Sequence, residues 1–264
     1  MGTVRPRAPR RHSWFAALVA GALALSMGLI SPAAGGPLTE LLPNIEAQPA
    51  FGLDVIKSGG TKYLRFSTST PNIGTGPLQM VPKKDDCNGD GDFENDRTAQ
   101  QFTFFDMDAD GVFTRGVDTQ KEKRIAGCFF FHAAHNHWHF EDFANYRLTK
   151  LSDGKAVATR TKVGFCMLDS LRTHPELPGS PTSRYYDSCQ PTGAQGISVG
   201  WEDLYSAQLE GQNFDLTGVA DGKYCVRINI DPNNRLEEAS DDDNRSARAV
   251  RLVGMNVTPL SRAC

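Results

Sequence analysis

Four histidines fall within one short stretch, His132-Ala-Ala-His135-Asn-His137-Trp-His139, in a chain that holds only six. The last three alternate. On a β-strand, successive side chains point to opposite faces, so residues i, i+2 and i+4 share one. His135, His137 and His139 would then stand in a row, spaced to close on one ion. Neutral imidazole suits copper, zinc, iron and nickel. A polar face on a surface strand is the plainer alternative, but three alternating histidines beside the apolar run Phe129 to Phe131 favour a metal site. An oxygen-rich pattern occurs twice. Asp86-Cys-Asn88-Gly-Asp90-Gly91 and Asp106-Met-Asp108-Ala-Asp110-Gly111 both read Asp-x-Asp/Asn-x-Asp-Gly. This is the first half of a calcium loop, with oxygens at positions 1, 3 and 5 and a glycine turn. The twelfth positions are Arg97 and Val117 instead of a bidentate glutamate, so neither loop is complete. Asp106, Asp108 and Asp110 are the better calcium candidates, because a cysteine interrupts the first loop. An acidic turn between strands is the alternative.

The elements that must hold these residues read as strands. Thr61 to Ser67 alternates apolar and polar, and Gln101 to Phe105, Phe129 to Phe131 and Asn145 to Leu151 are short β-type runs. Gly222 to Asp231 alternates clearly, and Arg248 to Val253 follows an acidic turn. Ser58-Gly-Gly60, Ser152-Asp-Gly154, Ala220-Asp-Gly222 and Asp231-Pro-Asn-Asn234 are turn signals. No long stretch has helical periodicity. The expected fold is all-β, an antiparallel β-sandwich with long loops. Leu171 to Val199, rich in Pro, Gly and Ser, reads as one such loop.

Residues 1–36 read as a signal peptide, leaving 37–264 as one domain. Arg5, Arg7, Arg10 and Arg11 precede an apolar run from Trp14 to Ile30, and Ser31-Pro-Ala-Ala-Gly-Gly36 suits cleavage. A membrane anchor is the alternative, because the apolar run approaches the lower limit for a span. Arg10-Arg11 hints at twin-arginine export. No cysteine follows the apolar run closely, which argues against a lipid anchor. Without those four arginines the remainder carries a formal net charge of about −7, from 28 basic residues less four against 31 acidic. Such a balance argues against nucleic acid and is compatible with steering cationic substrates. All six cysteines lie in the exported part, which implies disulfides with fifteen pairings open.

The segment His135-Asn-His137-Trp-His139-Phe-Glu-Asp-Phe-Ala-Asn-Tyr146 resembles the copper-binding strand of the lysyl oxidase family, and His132 matches a further family histidine. Lys162-Val-Gly-Phe-Cys166-Met-Leu-Asp169 resembles the family's K-x-x-F-C-x-x-D. Gly196-Ile-Ser-Val-Gly-Trp-Glu-Asp203-Leu-Tyr205 is similar to its G-L/I-S-x-G-x-x-D-x-Y, and Asp215 to Tyr224 resembles a fourth motif. The resemblance runs from about Leu38 to Leu252. It implies that His135, His137 and His139 hold copper. It also implies that Lys162 and Tyr205 are the precursors of lysine tyrosylquinone, a built-in carbonyl electrophile for primary amines. The chemistry expected is oxidative deamination of peptidyl lysine or small amines by dioxygen, yielding aldehyde, ammonia and hydrogen peroxide. Asp203 or Asp142 would serve as base. A disulfide between Cys166 and Cys189 is favoured. Ala134, Trp201 and Asn145 depart from the animal pattern, which puts the rest of the disulfide framework and the substrate preference in question.

The resemblance also implies a calcium site joining Glu40 and Leu41 to the acidic segment Glu237 to Asn244, through Glu238, Asp241 and Asn244. Asn244-Arg-Ser246 and Asn256-Val-Thr258 match the glycosylation pattern. The alternatives are a non-catalytic copper- and calcium-binding β-sandwich and a zinc hydrolase. The pairing of Lys162 with Tyr205 in family context disfavours the first, and the lack of an HExxH pattern disfavours the second.

Overall fold

The computed structural model describes residues 1–2, 37–92, 94–121, 124–190 and 193–264; of 161–163 it describes the backbone only. The expected signal peptide lies outside the described residues, save Met1 and Gly2. The unit from Pro37 to Cys264 contains no helix among its described residues, and every strand pair is antiparallel.

Among the described residues the strands are, in order, β1 (Glu40–Leu41), β2 (Phe51–Ser58), β3 (Thr61–Pro71), β4 (Leu78–Lys83), β5 (Asp96–Phe102), β6 (Phe104–Phe105), β7 (Thr119–Gln120), β8 (Arg124–His132), β9 (His137–Lys150), β10 (Ala156–Phe165), β11 (Leu171–Arg172), β12 (Gln195–Ile197), β13 (Trp201–Tyr205), β14 (Asn213–Asp215), β15 (Gly222–Ile230), β16 (Arg245–Val253) and β17 (Asn256–Pro259). Nine form the large sheet, in the order β12-β4-β5-β8-β9-β15-β16-β17 with β10 along β9. Five form the facing sheet, β11-β13-β3-β14 with β2 beside β3. A ribbon of β1, β6 and β7 carries its own small core of Leu41, Phe104 and Phe113.

The two large sheets bury a common core. Phe66 on β3 meets Tyr146 on β9 edge-on, centroids 5.2 Å apart, and stacks on Phe214 at 4.9 Å. Tyr146 carries its hydroxyl into this core, where it contacts Thr68 Oγ1 at 3.3 Å and accepts from Gln212 Nε2 at 3.2 Å. The β2–β3 hairpin turns at Gly59 and Gly60, φ +57° and +89°. Two consecutive positive φ values are what a tight two-residue hairpin needs, and glycine adopts them without strain.

The strand β9 organises the site. Its first residues, His137 to Phe140, pair with β8, and Ala144 to Lys150 pair with β15. The handover brackets Asp142, at φ 58°. β10 follows β9 with an extra residue between the pairs Arg160↔Tyr146 and Val163↔Ala144, a bulge that includes Lys162. Cys166 bonds Cys189 as expected, and Cys87–Cys128 and Cys225–Cys264 complete three bridges. Closing loops of this size stabilises the chain by about 3–4 kcal/mol each in the loop-entropy account. The expected loop from Leu171 to Val199 is mostly irregular but contains β11 and β12.

Candidate active site

β8 and β9 form a hairpin whose turn carries His135. The His135 and Asn136 N–H groups both donate to the His132 carbonyl, at 3.0 and 2.9 Å, and Asn136 takes a left-handed φ of 55°. This corrects the single-strand arrangement expected from the alternation. Only His137 and His139 share a strand face, while His135 reaches them from the turn. Because the chain doubles back there, His132 at the end of β8 pairs with His137 and joins the cluster. His139 Nε2 lies 2.9 Å from His137 Nε2 and 3.3 Å from His135 Nδ1. The His132 ring stacks on His135 at 4.0 Å and on His139 at 4.7 Å. Burial first, then the neighbouring imidazoles, push His139 down to about 3 and lower His137 as well. Both are therefore neutral near pH 7, the form that ligates metals. His132 Nδ1 is buried with no hydrogen-bond partner among the described residues. The donor set is all imidazole and fits copper.

Tyr205 faces this cluster across a cavity of about 260 Å³ lined by His135, His137, His139, Phe165, Asp203 and Tyr205. Its hydroxyl donates to the Cys166 carbonyl at 2.7 Å, and its ring packs on Phe165 with centroids 3.9 Å apart. Burial, then the Asp203 carboxylate, hold the phenol well above its ordinary range. Asp203 is 1% exposed. Its Oδ1 accepts from Ser170 Oγ at 3.2 Å, and its Oδ2 has no partner among the described residues. Burial, then the charges of Asp169 and Glu202, raise its carboxyl well above the usual range. Asp142, the other candidate base, contacts Asn233 and lies 3.9 Å from Arg235, and is not among the residues lining this cavity. Sequence reasoning missed Glu210, which lines both this cavity and a neighbouring one of about 250 Å³ that His132 also faces. An acid five residues after Tyr205 carries no local signal of that placement.

The spacing of the motifs has a structural reason. Asp169, fully buried, accepts four hydrogen bonds: from Ser198 N (2.7 Å), Ser198 Oγ (2.8 Å), Tyr185 N (2.9 Å) and Tyr186 N (3.1 Å). It thereby fastens the segment after β10 to the turn leading into β13, bringing Phe165 and Cys166 to Tyr205. Gly200 in that turn has φ +75°, and a Cβ there would lie 2.4 Å from the His174 carbonyl oxygen. The Lys162 side chain lies outside the described residues. Its backbone lies in β10, three residues before Phe165.

The family model for lysyl oxidase matches residues 94–260. The chain belongs to the lysyl oxidase family. It is similar to "Lysyl oxidase homolog 2" of Xenopus laevis, 36% identical over 147 residues, covering 55% of this chain and 18% of that protein. "Lysyl oxidase homolog 4" of Mus musculus is 32% identical over the same length and coverage. "Lysyl oxidase homolog 1" of Homo sapiens is 31% identical over 129 residues, 48% of this chain and 21% of that protein. The match spans about a fifth of the length of these relatives.

The acidic regions of this lysyl oxidase family chain divide. Glu40 lies 2.5 Å from Lys121 Nζ, which also reaches Glu237. Glu40 thus meets the C-terminal acidic segment through Lys121 and Glu237. Leu41 puts its side chain into the ribbon core. Glu238 accepts from Ile45 N at 2.7 Å and Asn244 Nδ2 at 3.1 Å, and burial pushes it up to about 8. Asn244 Oδ1 and Asp243 Oδ1 are buried without partners among the described residues. Asp241 raises Glu238 further, and its carbonyl accepts the Asn244 N–H at 3.4 Å. Asn244 is only 5% exposed, which removes it as a glycosylation acceptor, whereas Asn256 is exposed. Among Asp106, Asp108 and Asp110, the first two cluster with Asp118, and Asp110 instead accepts the Val112 N–H at 2.8 Å.

Proposed function

We propose that this chain is an exported copper-dependent amine oxidase that deaminates primary amines, peptidyl lysine among them, at the cavity between the histidine cluster and Tyr205. The observation that carries this reading is the shared cavity itself. A converging set of imidazoles and a half-buried tyrosine, drawn from opposite sheets, line the same 260 Å³ space. His135, His137 and His139 would hold copper, with His132 packed beside them, and Lys162 and Tyr205 would supply the quinone. When bound, copper and the quinone exchange electrons with dioxygen and provide the electrophile that a primary amine attacks.

The chain's own residues supply the rest. The Cys166 carbonyl and the Phe165 ring hold the Tyr205 ring in one orientation, which is the positional requirement for a reacting group. Asp203, buried in the cavity wall beside Tyr205 and without a cationic partner among the described residues, would be the base that takes the substrate proton. Glu210 puts an acidic group at the cavity wall, which favours a cationic amine over an anion. Calcium at Glu238, Asp241 and Asn244 would satisfy the unpartnered Asn244 Oδ1 and relieve the buried Glu238 carboxylate. Export is supported by the arginine-led apolar leader and by three disulfides, which persist in oxidising compartments. Among the described residues no helix is long and apolar enough to cross a membrane.

The test uses protein exposed to copper and dioxygen. Wild type should give a coloured adduct with phenylhydrazine, a crosslinked peptide pair containing Lys162 and Tyr205, and hydrogen peroxide from simple primary amines. Tyr205→Phe and Lys162→Arg should bind copper yet do none of these. Amine oxidation by the Tyr205→Phe protein would overturn the assignment.

A further inference from the structure

The turn between β6 and β7 holds a cluster with no part in the amine chemistry. Asp106, Asp108 and Asp118 each present a carboxylate oxygen, all within 4.8 Å of one another. No ion pair reaches any of the three among the described residues. Like charges this close repel strongly where water is excluded. Asp106 is 4% exposed and its carboxylate points into the turn. Its Oδ2 accepts the Gly111 N–H at 2.8 Å, while its Oδ1 is buried with no partner among the described residues. A buried, unpartnered carboxylate oxygen costs free energy unless a cation meets it. Loss of water contacts, then Asp110 and Asp106, raise the Asp108 carboxyl, as expected for acids forced together.

We propose that this turn binds a calcium ion through Asp106, Asp108 and Asp118. The carboxylate-only set suits a hard cation, and water can fill the remaining positions that calcium's high coordination number requires. Asp118 lies one residue beyond the usual twelfth position. Its oxygens accept the Met107 N–H at 2.9 Å and the Thr114 N–H at 2.6 Å, which hold the carboxylate over the turn. Left-handed backbone at Ala109 (φ 60°) and Gly111 (φ 75°) wraps the chain around the same point. The bound ion would clip the ribbon of β1, β6 and β7 and its core of Leu41, Phe104 and Phe113.

The Asp86 loop, which shares the motif, is an internal contrast. Asp86 spends both oxygens on the Gly89, Asp90 and Gly91 N–H groups, and Asp96 spends both on Cys87 and Asn88. Neither residue has an orphaned buried oxygen. Asp86, Asp90 and Asp96 also bring carboxylate oxygens within 4.8 Å of one another, but only the second loop has the orphaned buried oxygen, and calcium is assigned there.

The experiment strips the full chain with chelator and measures bound calcium by equilibrium dialysis, together with thermal melting during calcium titration. It runs in an Asp241→Ala background so that the C-terminal acidic segment does not contribute. Calcium should bind and raise the melting temperature, with magnesium a weaker competitor. Asp106→Asn should weaken binding by at least about tenfold, and in chelator it should melt no lower than its parent. Asp108→Asn, at an exposed side chain, should weaken binding equally, and it serves if Asp106→Asn fails to fold. Asp86→Asn should leave calcium affinity unchanged. Undiminished calcium affinity in Asp108→Asn, or no calcium uptake by the parent below about 1 mM, would overturn the site. Oxidase activity takes no part in the readout, so the result stands apart from the amine-oxidase reading.

Discussion

Asp169 and Asp203 lie in one hydrogen-bonded neighbourhood and serve different ends. Asp169 accepts four donors; Asp203 accepts from the Ser170 hydroxyl and the Leu168 backbone, and its Oδ2 has no partner among the described residues. Only the second is among the residues lining the cavity. Asp203→Asn is expected to lower kcat/KM by about 10²–10⁴ while leaving copper content intact, as steady-state kinetics beside metal analysis would reveal. The histidines differ likewise. His139 Nε2 stands within 3.3 Å of nitrogens on both His135 and His137, so it is central to the cluster. His139→Ala should strip most of the copper at the concentrations where wild type stays loaded. Full retention would move the metal away from this cluster.

Elements matter here through how they are tied together. β10 and β13 belong to different sheets, yet Phe165 at the end of one packs on Tyr205 at the end of the other. The tie between them is the Asp169 knot with Ser198, reinforced by the Cys166–Cys189 bridge. Asp169→Ala leaves the Ser198 and Tyr186 amides without their carboxylate in a buried place. The expected cost is about 3–5 kcal/mol, read as a lower urea midpoint at unchanged m-value. A loss below about 1 kcal/mol would mean that the disulfide alone holds the two segments.

At the scale of the whole molecule, the two sheets meet over Tyr146, and its hydroxyl makes stability depend on alkaline pH. Burial pushes this phenol up to about 12, against about 10 for an exposed tyrosine. The folded state therefore favours the protonated form. The contribution is fully present below about pH 10 and is lost as pH rises toward 12, roughly 2.7 kcal/mol in all. Tyr186, raised for the same reason, adds to the slope. Urea melts between pH 8 and 11 should show the decline. Tyr146→Phe should flatten it, at a cost of about 1–3 kcal/mol near neutrality because Thr68 and Gln212 lose a partner.

The period-two alternation of Thr61 to Ser67 and Gly222 to Asp231 is a local property, and it was enough to specify strands and an all-β class. The histidine cluster was visible for the same reason, since its members are close in sequence. Its geometry was not. Whether His135 sits on the strand or in the turn depends on where the β8–β9 hairpin closes, and that is set at Asn136 by a left-handed backbone and two bonds to the His132 carbonyl. Asp118 lay outside the motif that picked out Asp106 and Asp108, because the ribbon pairing of β6 with β7, rather than chain spacing, brings it back. Of the pairs, only Cys166 with Cys189 could be anticipated; the other two bridges, and the approach of Tyr205 to the imidazoles, join residues far apart in sequence. Local composition carries no information on such contacts. They exist because two twisted sheets bury a common core and so bring distant strand ends to one cavity.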